Sequence, residues 1–262
     1  MPDAWTDGSG YESYVGRWSR RVARAFLHWL AVPAGSTWLD FGCGTGALSH
    51  AILADGAPRR VIGCDRSSAY VAFARQQTAD ARAEFVVAEL PELPRVADGF
   101  DAVVAGLVLN FLPTPAEGVA AMTARARRGA TVAAYVWDYA EGMQLLRTFW
   151  DCAVALDAAA RELDEGVRFP LCRADSLREL LQGAGLHDVL VQPIVVPTVL
   201  QDFDDYWTPF LSGQGPAPGY VRGLSVERRA QLRDTIRQHL PTSSDGTIAL
   251  SARAWAVKGI AG

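Results

Sequence analysis

The chain has 262 residues, half of them hydrophobic and 21% charged, with a formal charge of −4. That length allows one large domain or two small ones, and the apolar content is ample for a buried core, which excludes a disordered chain. Of the 25 basic residues only Lys258 is lysine, and the mildly acidic balance argues against a general binder of nucleic acid or of anionic membrane.

No stretch approaches the ~18 uninterrupted apolar residues of a membrane span. The richest run, Ala102 to Leu112, is broken by Asn110 and reads as a buried strand entering a loop. The polar start MPDAWTDGSG does not read as a secretory signal. Cys43, Cys64, Cys152 and Cys172 form no C-x-x-C pair and read as reduced thiols, so a cytoplasmic protein is expected. The four histidines do not cluster with them, so no metal site is expected.

In chain order, the first element is a helix over about residues 13 to 30. Val15, Trp18, Val22, Phe26 and Trp29 share one face, and Arg17, Arg21, Arg24 and His28 share another. After the Pro33–Ser36 punctuation, apolar runs recur at a beat of about 24 residues: TWLDFG (37–42), RVIGCD (60–65) and AEFVVAE (83–89). FDAVVAGLVL (100–109) and ATVAAYVW (130–137) continue the series, with alanine-rich helical stretches between. Strands alternating with helices imply an α/β fold, a mostly parallel sheet with helices on both faces. Late strands near 188–196 and 247–258 complete seven. The spacers before them, 138–187 and 197–246, are longer than a crossover needs and read as lid insertions at the substrate side. The whole is expected to be a single domain, 1–262, with an N-terminal lid helix in 1–32 and a ligand-binding core in 33–137.

LDFGCGTGALS (39–49) is a strand, a glycine turn and a helix start. Gly42, Gly44 and Gly46 let the backbone turn and approach a ligand closely, and the following helix start can receive polar groups. Gly42-x-Gly44-x-x-Ala47 also satisfies the dinucleotide fingerprint. Asp40 separates the two readings: a carboxylate there would repel a pyrophosphate and hold an ammonium. Asp65 ends the second strand, where it can accept from ribose hydroxyls, and Glu89 ends the third, where it can accept from an adenine amino group. The expected ligand therefore joins a nucleoside to an amino acid.

On these residues the chain resembles the class I, Rossmann-like S-adenosylmethionine-dependent methyltransferases, in the small-molecule branch that includes the ubiquinone- and menaquinone-biosynthesis type. The similarity covers most of residues 11 to 137 and is sharpest in LDFGCGTG. It implies that Asp40 and the Gly42–Gly46 turn contact the methionine portion, that Asp65 holds the ribose, that the adjacent Arg66 is cofactor-binding, and that Glu89 and Leu90 meet the adenine. It implies further that Ala105 faces the cofactor through its carbonyl. By the same resemblance, Tyr14 and Arg17 in YESYVGRWS (11–19) close over the cofactor's carboxylate. The implied activity is methyl transfer from S-adenosylmethionine to a small organic acceptor by in-line displacement, leaving S-adenosylhomocysteine. Asn110 stands where relatives often have histidine, and Asn110-Phe111-Leu112-Pro113 lacks the motif of amino-methylating DNA enzymes.

Methyl transfer rests mainly on positioning and water exclusion, so no catalytic side chain is obligatory. Asp138, Tyr139 and Asn110 are the candidates for a catalytic role, and Trp137, Tyr206, Trp207 and Phe210 for substrate contact, from strand ends and from the aromatic segment DFDDYWTPF (202–210). Two rivals share the fingerprint. A nicotinamide-dependent oxidoreductase of the short-chain type would need a tyrosine four residues before a lysine, and Ala254 precedes Lys258 instead. A cyclase-like enzyme that keeps the cofactor without methylating is the other. Neither the acceptor nor the oligomeric state is legible.

Overall fold

The helices and strands of the first half follow the beat of the apolar runs. The computed structural model describes residues 17–211 and 215–262. An opening helix α1 (Arg17–Leu30) leads to β1 (Thr37–Phe41), α2 (Ala47–Asp55), β2 (Arg60–Asp65), α3 (Ser68–Gln77) and β3 (Ala83–Val87). Then come β4 (Phe100–Gly106), α4 (Pro115–Thr123) and β5 (Ala126–Trp137). β1 pairs in parallel with β2 and β4, β2 with β3, and β4 with β5. Parallel strands are joined by crossover helices that cover both faces. For that reason every residue of TWLDF in β1 is buried and the strand shows no polar face.

The second half adds α5 (Gln144–Leu156), α6 (Glu165–Arg168), α7 (Ala174–Gly183), β6 (His187–Leu200), α8 (Phe203–Trp207), α9 (Pro216–Gly223), α10 (Val226–His239) and β7 (Ile248–Ile260). The seven strands form one sheet in the order β3-β2-β1-β4-β5-β7-β6. β7 runs against β5, since the Ala261 N–H donates to the Ala130 carbonyl and the Asp138 N–H to that of Arg253. β6 reaches Leu200, so the second insertion begins a few residues later than its sequence implies. Along β6, exposed Pro193, Val195, Pro197 and Val199 alternate with buried Ile194, Val196, Thr198 and Leu200.

Two compact units divide the chain. The sheet unit holds Ser19–Val136, Arg173–Ile194 and Trp255–Gly262. The insert unit holds the described residues of Met1–Trp18, Trp137–Cys172 and Val195–Ala254, so β6 and β7 contribute to both. The two long spacers supply most of the insert unit.

In the sheet unit, α1 is a covering layer. Val22, Ala23 and Phe26 are fully buried, and the Phe26 ring lies 4.8 Å from that of Tyr135. Burying such a phenylalanine contributes about 2 kcal/mol. Lys258 donates to the Trp29 carbonyl at 2.9 Å and sits 4.6 Å over the Trp29 ring, so the chain's one lysine satisfies the C-terminal end of α1. From Ser19 onward the helix is part of the core of the sheet unit. Tyr14 and the start of the expected helix lie outside the described residues, and Arg17 is the first residue of α1.

The insert unit has its own aromatic core. α5 buries Leu145, Leu146, Phe149, Trp150, Cys152 and Ala153, the spacing of one helical face. Phe149 stacks on Phe210 with centroids 4.5 Å apart, and the Tyr206 hydroxyl donates to the Leu145 carbonyl at 2.8 Å. α10 is capped by the Ser225 hydroxyl, which accepts from the Arg228 N–H.

Candidate cofactor site

β1 carries Asp40 inside the sheet and then turns through three alternate glycines. Gly42, Gly44 and Gly46 take φ of 69°, 52° and 91°, the left-handed region that penalises any Cβ. A Cβ on Gly42 would come within 2.5 Å of the Val108 side chain, whereas one on Gly44 would meet nothing within 4 Å. Gly42 is thus required for close packing, and Gly44 borders open space. The Gly42 and Cys43 N–H groups both donate to the Cys64 carbonyl, and the Gly46 N–H to that of Cys43, so backbone alone holds the turn. Cys43 and Cys64 are neighbours there as buried free thiols, and burial pushes the Cys64 thiol up to about 12.

Two carboxylates flank this turn in different ways. Asp40 is 1% exposed; its Oδ2 accepts from the Ser49 hydroxyl at 2.7 Å, while Oδ1 has no hydrogen-bond partner among the described residues. Burial pushes its carboxyl up to about 7 despite the opposing bonds from Ser49, and the nearby charge of Asp65 adds to the rise. Asp65 instead clasps the loop, accepting from the Gly44 N–H at 3.0 Å and the Ser67 N–H at 2.8 Å. Each of its oxygens retains a lone pair for a further donor. The register explains the contrast: Asp40 pairs with Gly63, two rungs inside the edge that Asp65 marks.

The remaining expected contacts are spread along the same carboxyl ends. β3 stops at Val87, two residues short of its expected end, which leaves Glu89 exposed in the loop, its carbonyl accepting from the Glu92 N–H. Leu90 is half-buried and Arg66 exposed. Ala105 is fully buried in β4, paired with Ala134. Sequence reasoning missed Ser49, a fully buried hydroxyl in α2, whose position nine residues after Asp40 has no motif to announce it. It also missed the loop after β4. Leu107 adopts φ 59°, its N–H donates to the Tyr135 carbonyl at 2.8 Å, and Val108 rests on Gly42. Asn110 follows in a single 3-10 turn, Leu109–Phe111.

In the insert unit the expected substrate and catalytic residues are mostly engaged. Asp138 is 2% exposed, bound by Arg253 at 2.5 Å and by the Glu141 N–H at 3.2 Å, and Cys172 lies close to it. Both of its oxygens thus already have partners, one of them a cation. Tyr139 is buried with its ring 5.5 Å from Phe169. Tyr206, Trp207 and Phe210 are buried against one another. Their aromatic and acidic spelling fits a core corner as well as a pocket rim, and here it builds core. Trp137 is buried with its indole N–H unpaired among the described residues. Two further acids escaped notice. Asp164 is gripped by two nitrogens of Arg147, and Glu165 accepts from the Trp150 indole, with burial pushing its carboxyl up to about 7. Among the described residues no helix is long and apolar enough to cross a membrane, and no three metal-ligating side chains cluster.

A seven-stranded, mostly parallel sheet with a reversed β7 and a glycine turn between buried and edge carboxylates defines the class I, Rossmann-like methyltransferase fold. Residues 39–130, the segment that carries this turn and both carboxylates, match the methyltransferase-domain family. The chain is 37% identical over 91 residues to a demethylmenaquinone methyltransferase of Clavibacter sepedonicus, a match covering 34% of this chain and 36% of that relative. It therefore spans about a third of the relative's length. Among solved structures, it resembles a phosphoethanolamine N-methyltransferase of Haemonchus contortus bound to S-adenosylhomocysteine, at 14% identity and TM-score 0.57, over 92% of this chain and 53% of that one. It also resembles the (4+2)-cyclase SpnF, at 16% identity and TM-score 0.56, over 99% of this chain and 87% of that one. At such identities the likeness is one of fold, and the fold alone serves both methylation and cyclisation.

Proposed function

We propose that the chain transfers a methyl group from S-adenosylmethionine to a small organic acceptor. One observation carries the reading: Asp40 is a buried carboxylate with a bare oxygen, set beside a turn whose Gly44 opens onto free space. An ammonium would supply the missing partner, and an amino-acid cofactor brings one. The donor set fits the rest of that molecule. The Gly42–Gly46 turn suits its methionine portion, the spare lone pairs of Asp65 the ribose hydroxyls, with Arg66 alongside, and Glu89 with the Leu90 backbone the adenine. Ala105 backs the site from β4, and Tyr14 and Arg17 are assigned to the carboxylate. When bound, the cofactor supplies a sulfonium methyl open to in-line attack. The chain's own task is then to orient the acceptor and exclude water. With Asp138 held by Arg253, no carboxylate of the insert unit is assigned as a base. Trp137, whose indole N–H is unpaired among the described residues, is retained as a substrate contact.

Isothermal titration with S-adenosylmethionine and S-adenosylhomocysteine tests this reading. We expect one site per chain, lost in Asp40→Ala with an unchanged far-ultraviolet circular dichroism spectrum. No binding at millimolar ligand would sink the proposal. Binding without label transfer to a broad acceptor panel would move the chain to the cyclase-like class. Uptake of reduced nicotinamide dinucleotide instead would favour an oxidoreductase.

A further inference from the structure

We infer that Asn110 reads the methyl acceptor, donating through Nδ2 to a lone pair on an acceptor oxygen that neighbours the nucleophilic atom. The inference rests on the methyltransferase reading above and names its substrate class: oxygen-bearing organic nucleophiles, such as phenols, enols and hydroxy acids. Asn110 Nδ2 is buried and has no hydrogen-bond partner among the described residues. A buried amide donor is rarely left unmatched unless water, an ion or a ligand completes it. In the sheet unit, the other unmatched atom at the carboxyl edge of the strands is Asp40 Oδ1, already given to the cofactor's ammonium.

The loop around Asn110 is held from several sides. Leu107 occupies the left-handed region at φ 59°, an arrangement that persists only where the surroundings impose it. Its N–H is tied to the Tyr135 carbonyl at 2.8 Å. Val108 packs on Gly42, so the loop is braced against the same glycine turn that would carry the methionine portion. Leu109 is fully buried, which anchors the 3-10 turn. Asn110 is thereby presented on a fixed platform beside the turn.

Its chemistry narrows the role. A carboxamide donates hydrogen bonds but does not take up a proton near neutral pH, so Asn110 orients and does not deprotonate. A donor placed on the attacking lone pair would hold that pair back, because the pair is spent in the transition state. The useful partner is an adjacent oxygen, whose lone pair stays available throughout. Acceptors that carry both groups are those that ionise readily or attack as neutral enols, in keeping with a site where no base is assigned.

The test uses the full chain, saturated with S-adenosylhomocysteine, and 1,4-naphthohydroquinone, catechol and salicylate as probes under anaerobic conditions. Titration is run on the unaltered protein and on Asn110→Asp, Asn110→Leu and Asn110→His. We expect at least one probe to bind. Its affinity should fall tenfold or more in Asn110→Asp and Asn110→Leu, recover in part in Asn110→His, which restores a ring N–H, and leave S-adenosylhomocysteine affinity unchanged. The side-chain amide signals of Asn110, identified by their loss in Asn110→Leu, should shift with the bound probe. Asn110→Leu should also melt at or above the temperature of the parent, because it removes an unmatched donor; a purely structural asparagine would give the reverse. Failure of every probe to bind the cofactor-loaded parent, equal probe affinity in Asn110→Asp, or a loss of S-adenosylhomocysteine affinity in the variants would overturn the inference. Absence of S-adenosylhomocysteine binding to the parent would instead sink the underlying function.

Discussion

Asp40 in the sheet unit and Asp164 in the insert unit are both buried aspartates, and the protein provides for them in opposite ways. Asp164 receives two nitrogens of Arg147 and the Gly166 N–H, so its charge is matched inside the fold. Asp40 receives one hydroxyl from Ser49 and keeps an oxygen bare. A matched buried acid fixes architecture, and an unmatched one waits for a partner from outside. The same contrast separates Asp138, tied to Arg253, from Asn110, whose amide is unpaired among the described residues.

The contrast is broken most directly by removing the cation. Arg147→Met leaves Asp164 buried without its counter-ion, and urea unfolding should show a loss of about 3–5 kcal/mol. S-adenosylhomocysteine affinity should remain within twofold; a parallel collapse of affinity would show that the matched acid also serves binding. Next in size is Gly42→Ala, which forces a Cβ into the left-handed region and against Val108. Strain of that kind costs about 2–3 kcal/mol, and calorimetry should find cofactor binding abolished in a protein that still folds.

A pH series sharpens the comparison further. Burial holds Asp40 and Glu165 near 7, well above the ~3.9–4.3 of unfolded carboxylates. Both groups fold more readily when protonated. Their favourable contribution is therefore whole below pH ~4 and is lost as the pH rises through about 7. Asp40→Asn and Glu165→Gln should each flatten the fall in unfolding free energy over that window. Cofactor affinity should move the other way, strengthening about tenfold between pH 6 and 7.5 as Asp40 ionises to meet the ammonium. In Asp40→Asn that dependence should vanish; its persistence would assign the titration elsewhere. The smallest effect is expected of Tyr206→Phe, which removes the bond to the Leu145 carbonyl at a cost of about 1 kcal/mol in thermal unfolding and leaves cofactor affinity unchanged.

These effects also mark what a sequence can and cannot disclose. Strand positions were legible because a parallel sheet demands unbroken apolar runs, and β2 falls on residues 60–65 as its spelling predicts. That Asp40, the glycines and Asp65 gather at one turn was legible because they sit at the ends of adjacent strands. Ser49 and Val108 were not, since their roles arise from contacts made across the fold. The packing of Tyr206 and Phe210 was not legible for a related reason: an aromatic side chain is spelled alike at a pocket rim and in a core, and only packing decides. The pairing of Asp138 was not legible because Arg253, its partner, lies more than a hundred residues away and no local pattern joins them.

The outermost strand has a consequence for behaviour in concentrated solution. On β6, Pro193 and Pro197 share their parity with Val195 and Val199, and all four side chains are exposed. Proline has no N–H to give a neighbouring strand, so that parity suits the open flank of the sheet. A visiting strand from another molecule would meet apolar side chains there but an interrupted row of donors, and could not zip along it. An edge strand rich in exposed valines is thus kept from seeding a fibre by the prolines set among them.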